Sequence, residues 1–405
     1  MTLSWRQVNF LFLICTVVQA GAEGHLLAFT PLLLRDMGYS AEEIGIWTGA
    51  LVAAMMCVAW PLAPFWGTLA ERYSRRLIAI RGYYPSAVTF LIFGFAADVG
   101  WLLVGRLVLG LCFGTMALLS ATQALITPRN RLGTAIATVQ VAVPISASLG
   151  PPLGSLAIPA LGLRGLFFVD AGAVIVAAVA LTLLMPEPAE RISEKSVLAR
   201  TRDVMALVWQ TRPIRWNFAG TFLLRGATGV IDSYLPVRIT QVAPDPAAAI
   251  GWILGLYGAL TAVGNLIAGR LVDRIEEVKI FKWAMLAGAI ITVGMALAPT
   301  ILLLGALAVL RSLPASVAGL LLFTHIARVV PREQQTVVMT LAPMPRNAGA
   351  FLFPALAAFV TSVLPAAALG VGAGAYLAAS VTGMQMSRTT PPRAVLERQA
   401  LEAEV

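Results

Sequence analysis

Gly67–Arg76 reads GTLAERYSRR, a dense block of charge set between two long apolar segments. About two hundred residues later Gly269–Lys279 reads GRLVDRIEEVK, again between apolar segments. Gly67, Leu69, Glu71 and Arg72 recur as Gly269, Leu271, Asp273 and Arg274, all at an offset of 202. One such loop is weak evidence, because membrane proteins commonly place charge between spans. Its recurrence makes the chain two copies of one plan, as in transporters built from repeats.

The register continues outward from the two loops. LLVG before Arg106 echoes LLLG at 302–305, Pro128-Arg129 echoes Pro331-Arg332, and Gly150-Pro151 stands where Phe353-Pro354 stands. Composition sets the solvent. The chain is 59% hydrophobic and 12% charged, whereas a globular protein carries about 25% charged residues. Lipid must cover the surplus of apolar side chains. The net charge of +9 is then a topology signal, and no nucleic-acid partner is expected. Cys15, Cys57 and Cys112 lie in apolar runs and imply no disulfide framework. The first apolar run lacks a small-residue cleavage site and is long enough to span, so it reads as a first transmembrane helix.

Twelve spans are predicted, at 8–34, 44–66, 77–97, 101–126, 133–158 and 165–185, then at 214–239, 250–269, 280–298, 301–327, 336–362 and 367–387. The predicted fold is an all-α membrane protein of two pseudo-symmetric six-helix bundles. The bundles cover 1–185 and 213–387, joined by a cytoplasmic linker at 186–212 and followed by a cytoplasmic tail at 388–405. The linker has alternating charge and a patchy apolar side, and reads either as a short surface helix or as a solvated connection. With the N-terminus inside, all but seven of the 29 lysines and arginines fall in inside segments or at the inside ends of spans. Arg35, Arg164 and Arg238 are outside, while Arg106, Arg225, Arg311 and Arg346 lie within spans. This bias predicts a plasma-membrane protein with both termini and both charged loops in the cytoplasm.

These residues resemble the major facilitator superfamily, and in particular its twelve-span drug:proton antiporter branch, over essentially the whole chain. That family's loop after span two reads Gly-x-Leu-x-Asp-Arg-x-Gly-Arg-Arg. Gly67, Leu69, Arg72, Arg75 and Arg76 match it, with Glu71 in place of the aspartate and Ser74 in place of the second glycine. The fourth-span motif appears as Arg106, Gly110 and Gly114. The fifth-span antiporter motif appears as Ser146, Gly150, Pro151 and Gly154, with Ser155 in place of its last glycine. The resemblance implies alternating access, a cytoplasmic gate at the charged loops, and export more than import. Physically, Gly67 lets two helices approach, and Glu71 can accept hydrogen bonds at a nearby helix N-terminus or pair with an arginine. The plain alternative for the loop is a topogenic cluster of positive charge, and for the glycines it is close packing alone.

Ionisable groups within the bilayer cost about 2.5–3.5 kcal/mol each on insertion scales, so each needs a reason. Glu23 lies near the middle of span one, in a polar stripe with Thr16, Gln19 and Thr30. A carboxyl there can hold a proton or a substrate, seldom both. The alternative is a structural acid tied to a neighbouring helix. Arg106 would tune Glu23 if the fold brings spans one and four together. His25 points about 200° away from Glu23 and reads as a packed or interfacial histidine more than as a relay partner, and His325 reads as blander still. Span seven carries a longer stripe of Asn217, Thr221, Arg225, Thr228 and Asp232, and Arg311, Arg346 and Asn347 are expected to face it. Asp232 is expected to balance Arg225 or Arg346, and Asp170 reads as an ordinary end-of-helix acid.

Gln19, Glu23, Arg225, Thr228, Asp232, Arg311, Arg346 and Asn347 are thus the predicted substrate cavity, with Glu23 and Arg106 coupling protons. The favoured function is proton-coupled export of small amphipathic or hydrophobic compounds. The excess of arginine keeps open export of an anionic metabolite, sugar or lipid-like substrate. No metal-ligand cluster, nucleophile–base pair or nucleotide loop supports an enzyme, so no cofactor or metal is expected. The expected partners are membrane lipid, protons and a small-molecule substrate, and a monomer is expected.

Overall fold

The structure is a computed structural model that describes residues 4–72, 74–128, 131–187, 210–272, 277–330, 343–364 and 367–389. Among these residues it is helical, with no strand. In chain order the helices are α1 (Trp5–Asp36), α2 (Ala41–Arg72), α3 (Arg75–Phe95), α4 (Val99–Leu111), α5 (Thr115–Ile126), α6 (Leu132–Gln140) and α7 (Ala142–Leu184). They continue as α8 (Arg212–Val242), α9 (Pro246–Val272), α10 (Glu277–Leu297), α11 (Ile301–Val329), α12 (Pro343–Val363) and α13 (Ala368–Thr389). Most of the predicted linker and tail, and the start of the predicted eleventh span, lie outside the described residues.

Helix starts are capped where the sequence offers an oxygen acceptor. Ser4 and Gln7 form a reciprocal capping box at the start of α1. Ser74 accepts from Leu77 N at the start of α3, and Asp98 accepts from Gly100 N and Trp101 N at the start of α4. Among the described residues eight helices are long and apolar enough to cross a membrane. At 32 residues, α1 is about 48 Å long, more than the ~30 Å of a hydrocarbon core. Large side chains such as Leu302, Leu297 and Val176 are exposed, as a lipid-solvated surface requires.

The twelve predicted spans become thirteen helical segments among the described residues: spans four and five are each divided, span five at Val141, and spans five and six run together. Span four is two helices, broken at Gly114, whose φ of +92° suits glycine. Nothing stands within 4 Å of a Cβ added there, so Gly114 supplies a conformation and no packing space. Its motif partner Gly110 has the opposite job: a Cβ there would sit 2.5 Å from the Met55 carbonyl oxygen of α2 and 2.8 Å from Val58. Spans five and six run on as α7 through a corner at Gly162, with φ +70° and ψ 166°. That corner falls between the predicted ends of the two spans.

The chain forms two compact units, Met1–Glu194 with Leu235–Ala259, and Lys195–Tyr234 with Leu260–Val405. In the first, α1 packs on α7, α6, α2 and α5, and α3 packs on α7, α4, α2 and α5. Phe12, Phe29, Phe90, Phe93 and Phe167 are fully buried there, the last two edge to face with centroids 5.6 Å apart. In the second, α10 packs on α11 and α13, and α12 packs on α13. Phe281 and Tyr376 are buried in it, and Ile214, Phe218, Ile326 and Val330 form a further cluster.

Candidate functional site

α1 presents two polar faces. On the first, Gln19 donates from Nε2 to Glu23 Oε1 at 3.1 Å, with the Gly82 carbonyl and Ser86 Oγ of α3 each 3.4 Å from the same nitrogen. One turn along, Arg106 of α4 donates from Nη2 to the Leu26 carbonyl at 3.2 Å and to Thr30 Oγ1 at 3.1 Å. Its guanidinium carbon lies 5.6 Å from the Phe93 ring centroid. The fold therefore brings spans one and four together. Arg106 is held by a backbone carbonyl and a hydroxyl of α1, and its charge acts on Glu23 without a direct ion pair. Glu23 is half-buried, and its hydrogen bond comes from Gln19.

The second face corrects two expectations. His25 is more than a packed histidine, and Asp170 is no ordinary helix-end acid. Nδ1 of His25 lies 3.0 Å from Asp170 Oδ1 and 3.1 Å from Oδ2, while Nε2 lies 2.8 Å from the Gly150 carbonyl oxygen. Both residues are buried, 9% and 6% exposed. Neither residue has a local pattern that predicts the pairing, because they are 145 residues apart. A signal did exist: an acid and a histidine, each in an apolar segment, each needing a partner.

The antiporter-motif residues line that second face. Ser146 Oγ reaches the Val17 carbonyl of α1 at 3.0 Å and its own helix's Ala142 carbonyl at 2.9 Å. A methyl added at Gly154 would sit 2.7 Å from Phe29 and 2.8 Å from His25 Cδ2, so the missing side chain is the space the imidazole fills. Gly150 is roomier, its nearest neighbour being Gly21 Cα at 3.5 Å. Pro151 is buried, and α7 is approached on another side by a glycine seam of α9 at Gly251, Gly255 and Gly258. A Cβ at Gly258 would lie 2.6 Å from the Ala147 backbone. These glycines were not among the predicted site residues, though their four- and three-residue spacing is the small-residue pattern of close helix crossings.

In the second unit the stripe on α8 divides into a structural end and a charged end. Asn217, 2% exposed, donates to the Leu322 carbonyl at 2.9 Å and lies 3.1 Å from His325 Nδ1. At the other end Asp232 serves two arginines, with Arg225 Nη1 at 3.7 Å and Arg311 Nη2 at 3.4 Å. Arg311 is 0% exposed and also donates to the Tyr376 hydroxyl at 2.8 Å. The expected partner of Asp232 was Arg225 or Arg346, and the structure supplies Arg225 and Arg311. Arg225 Nη1 lies 3.5 Å from Thr228 Oγ1. Arg346 is exposed yet within electrostatic reach of Arg225, and Asn347 is buried. Glycines again set the approach: a Cβ at Gly349 would collide with the Phe222 carbonyl, and one at Gly226 with Phe353, one turn or less from Arg346 and Arg225.

At the predicted gate Arg75 is buried, Leu69 is half-buried, and Arg76 donates to the Thr182 carbonyl at 3.4 Å. The surroundings of Gly67 and Gly269, the side chains of Glu71 and Arg72, and all of Asp273 and Arg274 lie outside what the structure describes. Just beyond, Arg81 donates to the carbonyls of Leu111 and Phe113 and stacks 3.5 Å from the Trp66 centroid, closing the C-terminal end of α4 at the span-four break. Among the described residues no cluster of three or more His, Cys, Asp or Glu could hold a metal. A cavity of about 240 Å³ is bordered by Arg35, Tyr39, Thr240 and Gln241, away from the predicted site residues.

The family model described as Major Facilitator Superfamily matches residues 12–354 and again 218–402. The multidrug resistance protein MdtG of Serratia proteamaculans is 27% identical over 79% of this chain and 78% of its own length. Among solved structures, a variant of the nucleoside transporter NupG superposes with a TM-score of 0.80 at 13% identity, covering 94% of this chain and 99% of that one. A bacterial homolog of the human lysosomal transporter Spinster gives 0.78 at 13% identity, over 96% and 98%. At those identities the two structures establish the fold alone. The chain belongs to the major facilitator superfamily. It is a multi-span membrane transporter with the twelve-helix fold of that superfamily, and not an enzyme.

Proposed function

We propose that this transporter is a proton-coupled exporter of small amphipathic or hydrophobic compounds, working by alternating access in the plasma membrane as a monomer with both termini cytoplasmic. The observation that carries this reading is the setting of Glu23. It is a half-buried carboxyl within a span, with a hydrogen bond from Gln19 and the charge of Arg106 close by without a closed ion pair. Such a group can be satisfied by a proton or by a substrate's donor group, and the two compete. Arg106, tied to Leu26 and Thr30, keeps a fixed positive field beside that competition. The multidrug resistance relatives support export of drug-like compounds. The charged loops at Gly67–Arg76 and Gly269–Lys279 serve as the cytoplasmic gate, and the two six-helix segments 1–185 and 213–387 move as the working halves.

The experiment is transport by purified protein in liposomes under an imposed pH gradient. Glu23→Gln should abolish uphill transport while leaving downhill exchange of a neutral compound within about twofold, because only the proton-titrating atom is removed. Full gradient-driven transport by Glu23→Gln, with coupling lost in Asp232→Asn, would move the switch to the second half.

A second reading keeps the fold and changes the cargo to an anionic metabolite, sugar or lipid-like compound. It is favoured by one observation: Asp232 is shared by Arg225 and Arg311, while Arg346 adds a third positive charge near Arg225. Comparing matched cationic and anionic compounds in the same liposomes separates the readings, and Arg346→Gln should impair the anion selectively if the second is correct.

A further inference from the structure

We propose that His25, Asp170 and the Gly150 carbonyl form a second proton-binding site, separate from Glu23, in which a bound proton ties span one to the span five–six hairpin. The hydrogen-bond inventory carries the inference. The Gly150 carbonyl oxygen, 2.8 Å from Nε2, can only accept, so Nε2 must carry a hydrogen. On the other side of the ring, Nδ1 faces both carboxylate oxygens at 3.0 and 3.1 Å. That contact is attractive only if one more proton lies in it, on Nδ1 or on the carboxyl. Without that proton the ring keeps one hydrogen for two acceptors, so its lone pair faces either the Asp170 carboxylate or the Gly150 carbonyl, and that contact opens. The tie therefore holds two protons when closed and one when open, the exchanged proton coming from and returning to water.

The surroundings isolate this proton from other charge. Asp170 is the charged group that acts on His25. The neighbouring α5 and α6 contain no Asp, Glu, Lys, Arg or His, and those of α2 stand at its ends, Glu42, Glu43, Glu71 and Arg72. On α3 the arginines Arg75, Arg76 and Arg81 fall in the first two turns, far along the helix from Gly94, which meets Phe168 two residues from Asp170. On α7 the remaining charge, Arg164, is exposed. Glu23 and Arg106 belong to the other face of α1, with α3 and α4. The segment 246–259, which packs its glycines on α7, has no charged side chain. Gly154 and Phe29 close over the ring.

The geometry also says what the proton does. Gly150 lies before the Gly162 corner of α7 and Asp170 after it, so the single imidazole of α1 holds both arms of the hairpin. Releasing the proton leaves one ring hydrogen, which can hold only one of the two arms, so the hairpin is no longer tied at both. The protein gains a pH response that does not pass through Glu23.

The chain has two histidines, which makes the site directly observable. The full-length protein is labelled with ¹⁵N-histidine, placed in lipid nanodiscs and titrated from about pH 5 to about pH 9 by solid-state NMR, with His25 assigned by the loss of its signals in His25→Gln. The imidazole should pass from two nitrogens in proton-sharing positions to one nitrogen in a proton-free position. In Asp170→Asn the amide can donate to a neutral Nδ1, so the contact survives without the extra proton. The transition should vanish there or move by about one pH unit or more, a tenfold change in proton affinity. Glu23→Gln should leave it in place, which separates this site from the coupling acid. Downhill exchange of a neutral compound should lose part of its pH dependence in Asp170→Asn. His25 resonances that are unchanged across the range, or a transition at the same pH in Asp170→Asn, would overturn the proposal. Failure of Asp170→Asn to fold leaves the wild-type titration and its Glu23→Gln control to decide.

Discussion

Spans one and seven hold corresponding places in the two halves, and at the shared offset of 202 Glu23 corresponds to Arg225, Gln19 to Thr221 and Thr30 to Asp232. One plan has thus been kept in outline and inverted in charge. In the first unit each intramembrane acid has its own arrangement: Glu23 a neutral donor and a nearby guanidinium without an ion pair, Asp170 a histidine. In the second a single acid is divided between Arg225 and Arg311. The difference teaches how the two halves specialise. A carboxyl with one neutral donor can exchange that partner for a proton. A carboxylate between two guanidiniums is already satisfied, and is better suited to holding cations in place than to releasing them.

The strongest test of that contrast compares the two asparagine substitutions. Asp232→Asn strips the counter-charge from Arg311, fully buried against Tyr376, and should cost about 3–5 kcal/mol, the range for breaking a buried ion pair. The measurements are lower yield of folded protein and lower thermal stability in detergent. Asp170→Asn keeps a hydrogen bond to a neutral His25 and should cost about 1 kcal/mol. Equal losses would erase the distinction between the halves.

Next comes packing around the proton-binding face. Gly154→Ala places a methyl against His25 and Phe29, and overpacking of this kind costs about 1–3 kcal/mol. Gly150→Ala meets contacts of 3.5 Å or longer and should be near neutral in the same melting assay. If both are neutral, the fifth-span glycines do not set the position of the imidazole. A smaller effect is expected at Arg225, which is 36% exposed on its side chain. Arg225→Gln should change stability by under about 1 kcal/mol, well below the loss from Arg311→Gln, while reducing transport of anionic compounds if they bind there. The smallest change concerns topology alone. Cysteines at Ser74 and Glu276 should leave transport intact and react with an impermeant thiol reagent in inside-out membranes only.

The charged repeat and the apolar spans were legible because they depend on local hydropathy and loop charge. Lipid enforces that pattern residue by residue whatever the helices pack against. The two faces of α1 were legible too, since two residues along a helix turn the side chain by about 200°. What those faces meet was not. Asp170 lies 145 residues from His25 and Arg311 lies 79 from Asp232. A side chain's partner at such separations depends on helix rotation and on how closely two backbones approach. That approach is set by residues with no side chain of their own: Gly154 admits the imidazole, Gly110 admits the α2 backbone, and Gly226 with Gly349 draws α8 against α12. Sequence alone determined that charges sit within the membrane and on which helix face they stand. Only the tertiary structure decided which acid serves which base, because a buried charge selects its partner by distance in the packed fold.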